Sequence, residues 1–454
     1  MKSQMKLLCL LLSILMLLSA CSTAETTPNT DLPPSEQPNG DPPTQTTPPI
    51  QKDHYYFLLF NSSKMSSEDL AALEELSTLY PRHEVYRLDV KDCHDAVAVY
   101  ELMQRESASK SGIMDGVQIM GTANMVPAFQ VDYKIKLPDS YDINDSFCSD
   151  YFYSNFDNLS SSLEQFNIAD HFESDRSVSL TPRWRVARLL LIRGQFSDYL
   201  ENYKQYLAKS QGNSPQIVSF SSSIFRYFET TSVDDMAYFM QRAEQEWNLV
   251  KSPRLYTNQQ GSYLSPVPAL GDITTQNMSL ENQRAISEFF LLGHGSKNTV
   301  IRSVFDPTGR ASTSAYLSSE ELYKTFQYNP YFLNIHACIS AQGMNAGLVR
   351  TALSAGCIGA FAATSVITNN GINCKVPLEE MQSSSNFFAF YYAYLNGLNT
   401  GLSRSRAFFA AQVEWEQILS SCANREIVYS ANYQFGYHNL LCYHNFGIFE
   451  PDTV

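Results

Sequence analysis

Short apolar runs alternate with amphipathic segments twice along this chain, and no other feature restricts the fold as much. "YYFLLFN" (55 to 61) reads as a buried strand. In "SSEDLAALEELSTLY" the side chains of Leu70, Leu73, Leu76 and Tyr80 share one helical stripe, with Ser66 or Ser67 as N-cap. "HEVYRLDV" alternates Tyr86, Leu88 and Val90, "HDAVAVYELMQRES" predicts a second helix, and "GVQIMG" (116 to 121) a third strand. Strand, helix, strand, helix, strand predicts a mainly parallel sheet, because parallel neighbours require a crossover.

From about 122 to 180 the chain reads as loop-rich and holds the aromatic cluster "SDYFYSNFD". A second alternating series opens at "WRVARLLLI". It continues through the helix "FSDYLENYKQYLAKS", the strand "IVSFSSS", the helix "VDDMAYFMQRAEQEW" and a short strand near "RLYT". Two apolar runs follow, "AISEFFLLGHG" and "YFLNIHACIS", then the helix "MNAGLVRTALSAG", the strand "CIGAFAATS" and the helix "GLSRSRAFFAAQVEWEQIL". The expected fold class is α/β: two adjacent, mainly parallel three-layer α/β units, residues 52–180 and 181–454. Apolar residues at 44% and aromatics at 13% supply enough core for both.

The first 51 residues stand apart. Lys2 and Lys6 flank "LLCLLLSILMLL", a positive end and a short apolar stretch of the kind that directs secretion, giving a signal peptide over 1–20. "LSAC" (18 to 21) resembles a bacterial lipobox, which implies cleavage before Cys21 and a lipid on its sulfur. Residues 21–51 are then the lipidated cysteine and a tether rich in Pro and Thr, with nothing apolar to bury. The expected location is the outer face of a bacterial membrane, at the cell surface or in the periplasm, with the lipid as the only membrane contact. The net charge of −14 becomes −16 once Lys2 and Lys6 leave with the leader. Such a surface disfavours nucleic acid as a partner.

Seven cysteines remain: Cys93, Cys148, Cys338, Cys357, Cys374, Cys422 and Cys442. Three pairs at most leave one thiol over. His54, His83, His94, His171, His438 and His444 lack metal-ligand spacing, so His438 and His444 beside Cys442 read as coil rather than zinc ligands, and no cofactor is expected.

His294 closes one apolar run between Gly293 and Gly295, and Cys338 closes the next. Both follow strands whose carboxyl ends line the crevice where open parallel sheets bind ligands. A thiol beside an imidazole gains thiolate character, and the imidazole can return the proton to a leaving amine. Glycines at 293 and 295 allow close backbone approach. The N–H groups of Gly295 and Cys338 are candidate oxyanion donors. His336, two residues before Cys338 and on the same strand face, is a rival base.

The order of apolar strand, "HG", apolar strand, "AC" resembles the clan CD cysteine peptidases, and more of the chain resembles the gingipain family in particular. "GHGS" (293 to 296), "ACISAQGMNAGLVRTALSAGCIGAFAATS" and "GLSRSRAFFAAQ" carry the likeness, with "GVQIMGTANMVPAF", "SDYFYSNFD" and "WRVARLLL" upstream. The resemblance spans about residues 55 to 450. It implies a caspase-like fold for the second unit, with His294 as general base, Cys338 as nucleophile, and Gly295 and Cys338 N–H as the oxyanion hole. Where that family has an acid to orient the histidine, "TPRWRVAR" offers Arg183 and Trp184, with Ala187 in place of a glycine; Asp150 is the candidate acid. The family's near-terminal "GDP" is missing from "NLLCYHNFGIFEPD". The resulting expectation is a lipid-anchored cysteine endopeptidase acting on proteins or peptides. The alternatives are an inactive binding or scaffold lipoprotein, and a transpeptidase-type processing enzyme.

Overall fold

The computed structural model describes residues 52–451, apart from 136–142, 157–165, 168–179, 211–217, 223, 226–234, 257–287, 306–310, 321–331, 366, 368–375, 384–386 and 424–430. Residues 1–51, including Cys21, lie outside the described residues, as do Cys374 and His171. No helix among the described residues is long and apolar enough to cross a membrane.

The strands are β1 (His54–Phe60), β2 (His83–Asp89), β3 (Ile113–Met120), β4 (Phe129–Ile135), β5 (Ile143–Ser149), β6 (Phe166–Asn167), β7 (Arg185–Leu189), β8 (Val218–Ser222) and β9 (Ile224–Phe225). They continue as β10 (Arg254–Tyr256), β11 (Glu288–Leu292), β12 (His294–Ser296), β13 (Thr299–Phe305), β14 (Ala311–Ser318), β15 (Phe332–His336), β16 (Gly359–Ala363) and β17 (Tyr443–Gly447). The helices used below are α1 (Ser67–Thr78), α2 (Ala96–Ser107), α3 (Phe196–Ser210), α4 (Asp235–Gln241), α5 (Leu348–Ser354), α6 (Phe388–Asn399), α7 (Arg404–Ala423) and α8 (Ala431–Cys442).

Ten of these strands form one sheet in the order β10-β8-β11-β15-β16-β17-β7-β3-β1-β2. The pairs β1/β2, β1/β3, β3/β7, β8/β10, β8/β11, β11/β15 and β15/β16 are all parallel, and β17 runs antiparallel to β16. This is the mostly parallel α/β fold expected from the alternation. The strand that opens the second series in the sequence, β7, hydrogen-bonds instead to β3 of the first series. The segment around His444, read as coil, is β17 and stands between the two halves. Its five residues are all buried, paired along their length with β16 and at Phe446 with Arg188 of β7, although their side chains look polar in sequence.

Local chemistry explains the element ends. Ser66 caps α1, its side chain accepting from Asp69 N–H while Asp69 accepts from Ser66 N–H. Asp95 caps α2 through Ala98 N–H. On the sheet, Phe361 of β16 packs on Phe408 of α7 with centroids 4.1 Å apart and on Tyr394 of α6 at 5.0 Å. Elsewhere α1 and α3 meet over Met120, Leu189 and Ile448. Each such fully buried side chain contributes about 1.5–3 kcal/mol of apolar burial.

The stretch read as loop-rich contains a small sheet of β5, β4 and β6, and a second small sheet joins β12, β13 and β14, with β9 against β13. At the amino edge of the main sheet Asp115 gathers His83, Arg185 and Arg406 at 3.1, 2.5 and 2.9 Å, tying β2, β3, β7 and α7 together.

Candidate active site

All five residues of β11 are buried, and so are all five of β15. Their ladder continues one step beyond β11, where Gly293 N–H donates to the His336 carbonyl at 3.1 Å. The chain then leaves the main sheet, and His294 begins the β12–β13 hairpin, paired with Ile301. His294 is therefore exposed at the carboxyl edge, two residues past the end of a buried strand.

Beyond β15, Ala337 is buried and Cys338 is half-buried. Ile339 has φ of 47°, a left-handed conformation that costs a β-branched residue about 1–3 kcal/mol. Two hydrogen bonds hold it there: Ile339 N–H donates to Ser365 O at 2.8 Å and Ala341 N–H to Ala363 O at 3.0 Å. The end of β16 thus fixes the turn that carries Cys338.

The histidine and cysteine segments meet through Gly295. A Cβ on that residue would lie 2.1 Å from the Cys338 carbonyl oxygen and 2.6 Å from its nitrogen, so only glycine allows this approach. Gly347 makes a similar close approach further along the chain. A Cβ there would sit 2.7 Å from Lys297 O and 2.8 Å from Ser340 O, while Leu348 N–H donates to Lys297 O at 3.0 Å. The hairpin carrying His294 is clamped to the turn after Cys338 at both ends.

Burial pushes the Cys338 thiol up, opposed by backbone groups of Ile367, Gly295 and Cys338 itself that favour the thiolate. The thiol donates to Ile367 O at 3.6 Å. Although His294 is exposed as a residue, partial desolvation of its ring pushes the imidazole down. No hydrogen bond joins His294 to Cys338 or to a carboxylate among the described residues, and both shifts favour the neutral imidazole and the neutral thiol.

Asp150, the candidate orienting acid, is engaged elsewhere. It is buried, and its two oxygens accept from Arg188 Nε and Nη2, both at 2.7 Å. The aspartate of "SDYFYSNFD" and the arginine of "WRVAR" form a bidentate pair that joins the segment after β5 to β7, and Arg188 also donates to Gly121 O and Val126 O. His336 lies in the core: its Nδ1 is 2.9 Å from the Tyr391 hydroxyl, which is 3.0 Å from that of Tyr443, and its ring faces Phe387. Facing one side of an ideal strand did not carry it to the thiol, because the chain turns immediately after His336. Ile339, Ser365 and Ile367 shape the site without any sequence signal. Cys93, Cys148, Cys338, Cys357 and Cys442 are thiols rather than halves of disulfides.

No protein-family model matches the sequence, and no curated protein matches it. Solved structures do. The Arg-specific cysteine proteinase gingipain R (RgpB) is 11% identical with a TM-score of 0.50, over 88% of this chain and 78% of that one. The complex of Porphyromonas gingivalis RgpB pro- and mature domains gives 10% and 0.51, over 87% and 78%. A structure described as a protease gives 10% and 0.52, over 89% and 80%. What these likenesses share with the chain is the fold: a caspase-like, mostly parallel α/β sheet of the gingipain type.

Proposed function

We propose that the protein is a cysteine endopeptidase with Cys338 as nucleophile and His294 as general base. The observation that carries this reading is Gly295, whose backbone lies against that of Cys338 and so brings the imidazole segment to the thiol at the carboxyl edge of the sheet. The gingipain-type fold supports it.

In the proposed reaction His294 takes the Cys338 proton as the sulfur attacks a peptide carbonyl carbon. The N–H groups of Gly295 and Cys338 receive the oxyanion. Collapse breaks the C–N bond, His294 gives the proton to the departing amine, and a thioester remains on Cys338. Water, deprotonated by His294, then releases the acid and restores the thiol. An amine acceptor in place of water would make the same site a transpeptidase, and analysis of products distinguishes the two. A lipid on Cys21 would hold the enzyme at the outer face of a membrane. Detergent-phase partitioning of the full chain, lost in Cys21→Ala, tests that anchoring.

Labelling of residues 52–454 by a panel of peptide acyloxymethyl ketones, read by intact mass, tests the chemistry. One adduct per chain is expected, absent in Cys338→Ala and slowed by about 10²–10⁴ in His294→Ala. Labelling that survives Cys338→Ala, or a correctly folded wild type that never labels, sinks the peptidase reading in favour of a binding or scaffold protein.

A further inference from the structure

The first half of the sheet has a switch point of its own. From β1 the chain passes to β2 on one side and then to β3 on the other. The loops past β1 and β3 therefore diverge, and in open α/β sheets ligands bind where that happens. A cavity of about 540 Å³ opens there, walled by Lys64 after β1, by the run 93–97 into α2, and by the chain from Ala123 to Gln130. That volume is in the range of about 300–1,000 Å³ typical of sites for small ligands or short peptides.

Its chemistry is mixed. One ammonium (Lys64), one imidazole (His94) and one carboxylate (Asp95) line it singly, so neither sign of charge accumulates as a phosphate or metal site would require. Lys64 already donates to the Asn124 carbonyl, and Asp95 already caps α2. The carboxamides of Asn124 and Gln130 can each donate and accept, as a peptide group demands, and Met125 and Phe129 supply apolar wall.

Two hydrogen-bonded routes connect this cavity to the turn at Cys338. Ala123 N–H donates to Met344 O at 2.9 Å and Asn124 N–H to Asn345 Oδ1 at 3.0 Å, so the loop past β3 is fastened to the segment that follows the nucleophile. On the other side Thr364 Oγ1 donates to the carbonyl of Cys148, another wall residue, at 2.7 Å. Thr364 adjoins Ser365, whose carbonyl holds Ile339. We infer that the cavity is an exosite that holds an extended segment of the polypeptide to be cut at Cys338. This inference rests on the peptidase reading and adds a second place where the enzyme grips its substrate.

Cys93 and Cys148 both line the cavity, so a bound chain must shield them. The test uses the full chain carrying Cys338→Ala, alkylated by iodoacetamide with and without β-casein, an unfolded polypeptide that has no cysteine. Peptide mapping reads each thiol, while buried Cys357 and Cys442 stay unreactive if the fold is intact. With β-casein at about ten times its Kd, alkylation of Cys93 and Cys148 should slow together by about tenfold. Unchanged rates with β-casein bound, or no binding of β-casein, overturn the exosite. Shielding of both thiols in a protein whose wild type never labels at Cys338 also overturns it, and marks the cavity as a polypeptide-binding surface without turnover.

Discussion

At the scale of single residues, Gly295 and Cys338 define each other. Gly295→Ala must push the Cys338 backbone aside, and displacements of about 1 Å at a reacting atom cost on the order of 10²-fold. Ketone labelling of Gly295→Ala should fall by that factor while the thiol remains present by titration. Because desolvation favours the neutral thiol at Cys338 and the neutral imidazole at His294, the protein is expected to carry little Cys338 thiolate at neutral pH. Alkylation of Cys338 by iodoacetamide should therefore keep rising about tenfold per pH unit up to about pH 9. A plateau near neutrality would show a resting ion pair instead. Asp150 tells the opposite story. Asp150→Asn leaves Arg188 buried without its bidentate partner, a change that costs about 3–5 kcal/mol. Urea unfolding should register that loss; a variant of full stability with slow labelling would return Asp150 to the histidine. The placement of His294 and Cys338 just past buried strands was legible because each ends an apolar run, whereas the aspartate's partner lies 38 residues away on another element.

At the scale of elements, strong periodicity was legible and short polar strands were not. The helix read over 196–210 matches α3, and Ser66 is the cap of α1. Ser66→Ala should cost about 1 kcal/mol in denaturant unfolding, since it removes one arm of a capping box. The strand β4 carries Phe129, Val131 and Tyr133 in strict alternation, yet Gln130, Asp132 and Lys134 between them made the stretch resemble a loop. β12 is only three residues long and β14 is rich in hydroxyls, so neither announces itself as a strand by composition. Helix α6 is buried along most of its length, which removes the polar stripe by which a helix is usually recognised. The position of β7 was hidden for a different reason: chain order places it in the second series, and only long-range pairing assigns it to β3.

At the scale of the whole molecule, two buried histidines couple stability to acid. Burial pushes His438 down to about 3 and His444 to about 4, so the folded protein keeps both neutral. In the unfolded chain they take up protons below about pH 6.5. Stability is thus intact above about 6.5 and declines as pH falls toward the folded values, by at most about 1.4 kcal/mol per pH unit for each histidine. His438 lies against Tyr133 at 4.2 Å and Phe147 at 4.9 Å, so His438→Phe should flatten the dependence of the urea midpoint between pH 7 and 5 by about half. The sheet has a further consequence for how such a chain is made. Its central strand, β17, comes from residues 443–447 and separates β16 from β7. Until those residues arrive, each half presents an unpaired inner edge of the kind that recruits foreign strands. Synthesis of everything before them yields two open half-sheets, and closure waits on contacts more than 250 residues apart, such as Phe446 with Arg188. A chain of this design needs its inner edges protected until its last strand is threaded into the middle.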